Sequence, residues 1–139
     1  MSLPLIKPVL ALVALTAIVY VKMIKDRVDE MTARKISPSK VSDVTQTRLL
    51  LKNLAASNNF VNLLEIPVFF FLFAAATWAR PLAVDAVVDG GAWAFVLLRY
   101  MHSFVQISYG KVEIRFALHL ISTGLVFALW VYAASAFLA

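Results

Sequence analysis

The chain contains no cysteine, which excludes disulfide bonds, cysteine nucleophiles and cysteine-ligated metal sites. Charge is also scarce, since charged residues make up 15% of the 139 residues, against about 25% in soluble domains. Hydrophobic residues make up 62% of the chain, and the mean hydropathy is +0.84. A chain this apolar is outside the range of soluble domains, and we predict an integral membrane protein in contact with membrane lipids.

The apolar stretches are long enough for four membrane crossings at roughly 20 residues each. We place the spans at about residues 3–24, 54–78, 92–109 and 114–138, with a polar loop at about 25–53. The links between the later spans are short, so neighbouring spans must run antiparallel. The sequence therefore predicts an all-α integral membrane protein, a four-transmembrane-helix up-down bundle that forms a single domain over residues 1–139.

The first apolar stretch has a competing interpretation as a cleaved signal peptide, because a lysine precedes an apolar run. No small-residue cleavage site follows that run before Tyr20, Lys22 and Lys25. We therefore expect the first span to be retained.

Positive charge is concentrated in the first loop. Residues 22–52 hold eight Lys/Arg against four Asp/Glu, whereas the middle link holds only Arg80 as a basic residue. Because cytoplasmic loops carry an excess of Lys and Arg, we expect this loop in the cytoplasm and both termini on the other side, in a bacterial inner membrane. Anionic lipid headgroups are the expected neighbours of these charges, and no recognition motif points to nucleic acid.

Three spans carry polar side chains at helical spacing. In the second span, Asn58, Asn62 and Glu65 follow one another at four and three residues, which places them on one face of a helix. Similar spacings in the third and fourth spans align two further sets: Arg99, His102, Gln106 and Tyr109, and Arg115, His119 and Ser122. These sets predict a polar cavity inside the bundle.

Charged groups near the bilayer centre cost about 2.5–3.5 kcal/mol each, so they need partners or water. We expect Glu65 and Arg99 to form an intramembrane ion pair. Such a pair fixes helix register in some proteins and serves a functional site in others, and the residues alone leave both roles open.

Pro67 lacks the N–H that would bond to the carbonyl of Leu63, so we predict a kink beside Glu65. A packing role for this proline is the alternative. The two histidines lie on different helices without a carboxylate triad, so we predict no metal site. Hydrogen bonding within the polar cavity is the role that we expect for His102 and His119.

The motif N-x-x-E-x-P at Asn62, Glu65 and Pro67, together with R-x-x-H at Arg99 and His102, resembles the MAPEG superfamily. These membrane-associated proteins in eicosanoid and glutathione metabolism include microsomal glutathione transferases and prostaglandin E synthase. The likeness extends to chain size, the four spans and the long cytoplasmic first loop. The resemblance implies a homotrimer that binds glutathione as co-substrate between protomers, near the cytoplasmic side.

The resemblance also implies a role for Arg115, which lies sixteen residues after Arg99. Family enzymes place an arginine at this spacing against the glutathione sulfur, where a guanidinium favours thiolate over thiol. An anchor at the lipid headgroups is the alternative role. The glutathione-binding residues implied by the resemblance are Asn58, Asn62, Glu65, Arg99, His102 and Gln106.

Two of these positions depart from the family pattern. Asn58 stands where glutathione-binding members usually have an arginine, and Gln106 stands where they have a tyrosine. Losing that arginine should weaken glutathione binding, because a bidentate charge-assisted bond becomes at best a neutral one. Lys52 or Arg48 can compensate only in part.

The resulting functional hypothesis is a glutathione-dependent transferase or peroxidase that acts on lipophilic electrophiles from the bilayer by stabilising a thiolate. A non-enzymatic relative with the same fold, or one that binds another ligand, is the alternative that Asn58 and Gln106 support. Small proton-coupled or multidrug transporters also have four spans, but they carry their essential glutamate in the first span. The first span of this chain contains no acidic residue.

Overall fold

A computed structural model describes residues 3–79 and 84–138. These residues form α-helices and one short 3-10 helix, with no strand among them, so the prediction of an all-α fold is confirmed. Arg80, which entered the charge comparison between the loops, lies outside the described residues. The α-helices are Ile6–Ala33 (α1), Val44–Leu50 (α2), Ala55–Glu65 (α3), Pro67–Ala79 (α4), Ala86–Ser108 (α5) and Val112–Leu138 (α6).

Three segments of the described chain are long and apolar enough to cross a membrane: α1, α3 together with α4, and Val112–Ala134 of α6. Between 28% and 33% of the residues in their most apolar windows are buried within the chain. The remaining apolar side chains face outward, where lipid or another subunit must surround them. The prediction of an integral membrane protein is therefore confirmed.

Neighbouring helices run antiparallel, as the short links predict. Three side-chain hydrogen bonds each join the end of one element to the start of another. The up-down order therefore holds around the bundle. The bonds run from Arg27 on α1 to Ser57 on α3, from Trp78 on α4 to the Pro4 carbonyl, and from Tyr132 on α6 to Asp85 before α5.

The second predicted span is divided into two helices at Ile66. Pro67 begins α4, and it lacks the N–H that a continuous helix needs at that position. The N–H of Phe69 bonds to the carbonyl of Ile66 at 3.1 Å, so the backbone turns more tightly here than in an α-helix. The interruption predicted beside Glu65 is present.

Two helices extend past the predicted spans. α1 continues to Ala33, and the i,i+4 ion pair between Lys22 and Asp26 supports its polar part. α5 starts at Ala86 because Asp85 caps it, accepting the N–H of Val88 at 2.8 Å. Hydrogen bonds from the Tyr132 hydroxyl and from the Val88 N–H lower the pKa of Asp85.

The bundle has an apolar half and a polar half. Phe70, Phe73, Phe95 and Leu12 are fully buried in the half near the start of α1, where the rings of Phe70 and Phe95 stack at 5.1 Å. The buried polar residues of α3 and α5 lie in the other half. We call this half the loop end, because the α1–α3 connection and the α5–α6 turn both lie there.

Glu30 fastens the first loop to α1. Its carboxylate accepts the backbone N–H groups of Lys52 and Asn53 at 2.8 and 3.0 Å, and it also pairs with Arg34. Arg34 in turn donates to the carbonyl of Leu50. These bonds hold the chain that leads from α2 into α3, and the backbone N–H of Lys52 and then that of Asn53 lower the pKa of Glu30.

Replacing Glu30 with glutamine is expected to lower the melting temperature at neutral pH, because both N–H groups lose a charged acceptor. The pKa of Glu30 is lowered in the folded protein, so its contribution is present above the ordinary value of 4.5 and is lost as the pH falls below it. The wild-type and Glu30→Gln melting curves should therefore converge in acid. Asp29→Asn, which removes an exposed partner of Lys25, is the matched control and should change little. Equal melting temperatures of Glu30→Gln and wild type at pH 7 would contradict this role.

Candidate functional site

A cavity of about 520 Å³ lies at the loop end, between α2, α3, α5 and the start of α6. Six of the seven residues that the sequence singles out for binding or catalysis line it. The structure therefore brings these side chains together, while their roles as ligands remain a prediction. The six are Asn58, Asn62, Glu65, His102, Gln106 and Arg115.

The α3 wall of the cavity is the predicted polar stripe. Asn58 and Glu65 are exposed on the surface of the single chain, and Asn62 between them is half-buried. Because Glu65 precedes the break at Ile66, its carboxylate lies near the middle of the Ala55–Ala79 segment. An exposed carboxylate at that depth requires a polar neighbour outside the single chain, whether water, ligand or another subunit.

Arg99, the seventh predicted residue, lies behind this wall and is 0% exposed. Its guanidinium donates to the backbone carbonyl of Asn62 at 2.6 Å and to the hydroxyl of Ser122 at 3.3 Å. The predicted ion pair between Glu65 and Arg99 is wrong, because the ion pairs among the described residues all join side chains between Lys22 and Arg34. Arg99 turns inward between α3 and α6 to reach a backbone acceptor, whereas Glu65 faces the cavity.

Two further hydrogen bonds tie the α5 ridge to α3. The side-chain amide of Asn62 donates to Gln106 at 3.1 Å, and the hydroxyl of Ser103 donates to the amide oxygen of Asn59 at 3.2 Å. Gln106 is 4% exposed, so it holds the side chain of Asn62 from the buried side of the bundle. Tyr109, predicted on the same ridge, caps the end of α5 and is exposed.

α6 completes the cavity with Arg115 and His119, which lie one helical turn apart. The ring of His119 lies 5.8 Å from that of His102 between centroids. Ser122, one turn further, is fully buried and accepts the bond from Arg99. The predicted α6 ridge thus contributes two side chains to the cavity and one to the polar core behind it.

Three buried nitrogen atoms in this polar core have no hydrogen-bond partner within the described part of the chain. They are Nε of Arg99, Nδ1 of His102 and Nδ2 of Asn59. An unpaired buried donor or acceptor costs about 1–3 kcal/mol, so these atoms need water or a polar ligand group. Of these three residues, His102 is the one that lines the cavity.

A second pocket of about 270 Å³ adjoins the cavity beneath α2. Arg27, whose guanidinium donates to Ser57 at 2.9 Å, lies on its α1 side. Arg48 and Asn58 border both spaces. Asp43 caps α2 by accepting the N–H of Gln46 at 2.8 Å, which orients the helix that carries Arg48.

The cavity combines charges of both signs with an apolar edge. Arg48 and Arg115 can bind carboxylates or a thiolate, and Glu65 can bind an ammonium group or N–H donors. Val61, Val112 and Phe116 add exposed apolar side chains to the lining. Such a lining suits a small zwitterionic molecule that meets an apolar one.

A family model described as the MAPEG family matches residues 5–135, which is nearly the whole chain. The chain belongs to the MAPEG family. Comparisons with curated proteins and with solved structures gave no match. MAPEG membership confirms the resemblance drawn from Asn62, Glu65, Arg99 and His102, and members of this family generally use glutathione.

Within this MAPEG-family chain, the residues that sequence reasoning undervalued come from outside the predicted stripes. Asn59, next to the α3 stripe, is fully buried and bonds to Ser103. Arg48, predicted only as a partial substitute for the missing arginine, reaches the cavity from α2. Among residues 3–79 and 84–138, no three His, Asp or Glu side chains group closely enough to hold a metal ion.

Proposed function

We propose that this MAPEG-family protein is a glutathione-dependent transferase or peroxidase that acts on lipophilic electrophiles. The observation that supports this function most strongly is the meeting of Asn58, Asn62, Glu65, His102 and Arg115 around one cavity. Helical spacing alone placed them on separate faces of three helices. Their convergence at the loop end supports a single binding site for a molecule with several polar groups.

The same proposal includes a homotrimer with four membrane spans per subunit. These are the three apolar segments described above and α5, which is the third span in chain order. The exposed Glu65 supports a further subunit, because a carboxylate at this depth is unstable against lipid. A neighbouring copy that closes the open side of the cavity would place glutathione between subunits. The basic residues of the loop end support a cytoplasmic position for the site, in a bacterial inner membrane with both termini on the opposite side.

Glutathione offers two carboxylates, an ammonium group, two peptide bonds and a thiol. In the proposed complex, Glu65 binds the ammonium group. Asn62, whose side-chain amide also bonds to Gln106, forms a hydrogen bond with a peptide unit of glutathione. Arg48 binds a carboxylate in place of the arginine that Asn58 replaces. Arg48 is exposed and borders the cavity beside Asn58. Its guanidinium can therefore take the role of the arginine that other family members have at the position of Asn58.

Arg115 is proposed to stabilise the glutathione thiolate. A guanidinium is a cationic hydrogen-bond donor with no acceptor atom, so it favours the charged sulfur over the neutral thiol. The neighbouring Val112 and Phe116 provide an apolar surface on which a lipophilic electrophile can approach the sulfur. Mixing glutathione with the protein should therefore produce the ultraviolet absorbance of a thiolate, and its absence in a folded, glutathione-bound protein would overturn this chemistry.

Replacing Arg48 with glutamine is expected to weaken glutathione binding about tenfold. A charge-assisted hydrogen bond contributes about 1.5–3 kcal/mol, and exposure to water brings the effect to the lower end of that range. Lys52→Gln, a nearby exposed cation that does not border the cavity, is the matched control and should bind normally. Equal dissociation constants for Arg48→Gln and wild type would remove Arg48 from the site.

The alternative is a non-enzymatic MAPEG-family protein, or one that binds another lipid-like or anionic ligand. The inward bond from Asn62 to Gln106 favours this alternative, because Gln106 supports Asn62 where family enzymes place a tyrosine toward the ligand. Mass spectrometry of molecules that copurify with the protein separates the two. A bound ligand that glutathione does not displace would favour the alternative.

A further inference from the structure

His119, for which the sequence predicts hydrogen bonding within the cavity, has no task among the proposed binding roles. Its side chain is half-buried and lines the cavity one turn after Arg115. The hydroxyls of Ser122 and Thr123 donate to its backbone carbonyl at 3.0 and 2.8 Å, and its ring lies 5.8 Å from that of His102. Within the described residues the imidazole has no hydrogen-bond partner, so both ring nitrogens are free to meet a bound molecule.

Formation of a thiolate releases a proton that some group must accept. Arg115 can stabilise the negative charge of the thiolate, but a guanidinium has no atom that accepts the proton. His102 also lines the cavity, but it is 1% exposed whereas His119 is half-buried, and Glu65 lies on α3 rather than on the helix of Arg115. His119 is the base that combines access to the cavity with a position beside Arg115.

We propose that His119 is the general base that deprotonates the thiol, an inference that rests on the proposed glutathione function. The S–H bond breaks, the proton moves to a ring nitrogen of His119, and the electron pair stays on the sulfur beside Arg115. The sulfur then forms a bond to the electrophilic carbon. In an addition or ring opening, the imidazolium returns the proton to the atom that received the displaced electron pair, so the ring is neutral again after each turnover.

Charged and titratable groups face His119 from every wall. Glu65 contributes from α3, His102 from α5 and Arg115 from its own helix, and the charge of the buried Arg99 lies behind the α5 wall. Arg48 of α2 borders the same cavity. These groups together set the pH range in which the neutral ring is available, and imidazole is the side chain whose ordinary titration lies between about pH 5 and 8.

Stopped-flow mixing of glutathione with the intact protein measures the rate of thiolate formation directly. General bases contribute typically 10²–10⁴-fold, so His119→Gln should form the thiolate about a hundredfold more slowly. In wild type this rate should level off once the ring of His119 is neutral, whereas in His119→Gln it should rise in proportion to hydroxide concentration between about pH 5 and 8. Glu113→Gln, on the exposed first turn of α6 away from the cavity, is the matched control and should keep both the rate and the profile.

S-methylglutathione, which has no thiol proton, separates catalysis from binding. His119→Gln should bind it as tightly as wild type does, and added imidazole should restore thiolate formation in His119→Ala. An unchanged rate and pH profile in His119→Gln would overturn the inference while leaving the proposed function intact. Loss of S-methylglutathione binding in a folded His119→Gln would make His119 a binding residue instead. A wild-type protein that binds neither glutathione nor S-methylglutathione would overturn the proposed function and this inference with it.

Discussion

Replacing Arg115 with glutamine is expected to abolish the thiolate absorbance and to slow glutathione conjugation by about 10²–10³. This is the usual loss when a donor to a developing anion is removed from a site shielded from water. Glutamine keeps a hydrogen-bond donor and much of the length, so the missing feature is the positive charge. The measurements are ultraviolet absorbance at saturating glutathione and the rate of conjugation of a lipophilic electrophile.

Lys111→Gln is the control for the alternative role of Arg115 as a headgroup anchor. Lys111 is an exposed cation in the turn before α6, and it does not line the cavity. If Arg115 only anchored the helix, both variants would behave alike and would keep the thiolate signal. A full thiolate signal in Arg115→Gln would therefore contradict its assignment to the sulfur.

Replacing Arg99 with alanine is expected to lower the free energy of unfolding by about 2–5 kcal/mol, the usual cost of truncating a large buried side chain and leaving a buried acceptor unpaired. The substitution removes the donor to the Asn62 carbonyl and to Ser122, and it leaves a void where a fully buried side chain stood. The total free energy of unfolding of most domains is about 5–15 kcal/mol, so this loss should appear as a large drop in melting temperature in detergent.

Arg99→Met separates the loss of the hydrogen bonds from the loss of packed volume. Methionine fills much of the volume and needs no counter-charge, so its melting temperature should lie between those of wild type and Arg99→Ala. A melting temperature of Arg99→Ala equal to that of wild type would show that the bond to Asn62 does not hold α5 against α3.

The part of the site that the sequence predicted follows from helical periodicity. A helix places residues at i, i+4 and i+7 on one face, so Asn58, Asn62 and Glu65 had to share a wall once the segment was helical. Pro67 predicted the break after Glu65 for an equally local reason, its missing N–H. The same periodicity aligned Arg115 with His119.

Helical periodicity could not predict the hydrogen-bond partner of Arg99. Spacing predicts which face of a helix a side chain occupies, but not which acceptor on the next helix it reaches. Arg99 reaches the Asn62 carbonyl, a backbone atom that a search for opposite charges among side chains does not consider. The sequence also left open whether Arg48 or Lys52 compensates for Asn58. Arg48 borders the cavity from α2, whose position depends on the bonds of Glu30 to the loop.

Calorimetric titration of glutathione into the detergent-solubilised protein, after its mass has shown a trimer, tests the central claim most directly. The convergence of Asn62, Glu65 and Arg115 on one cavity predicts saturable binding, with displacement by S-methylglutathione. A folded trimer that gives no saturable heat with either molecule would contradict glutathione as the ligand of this cavity.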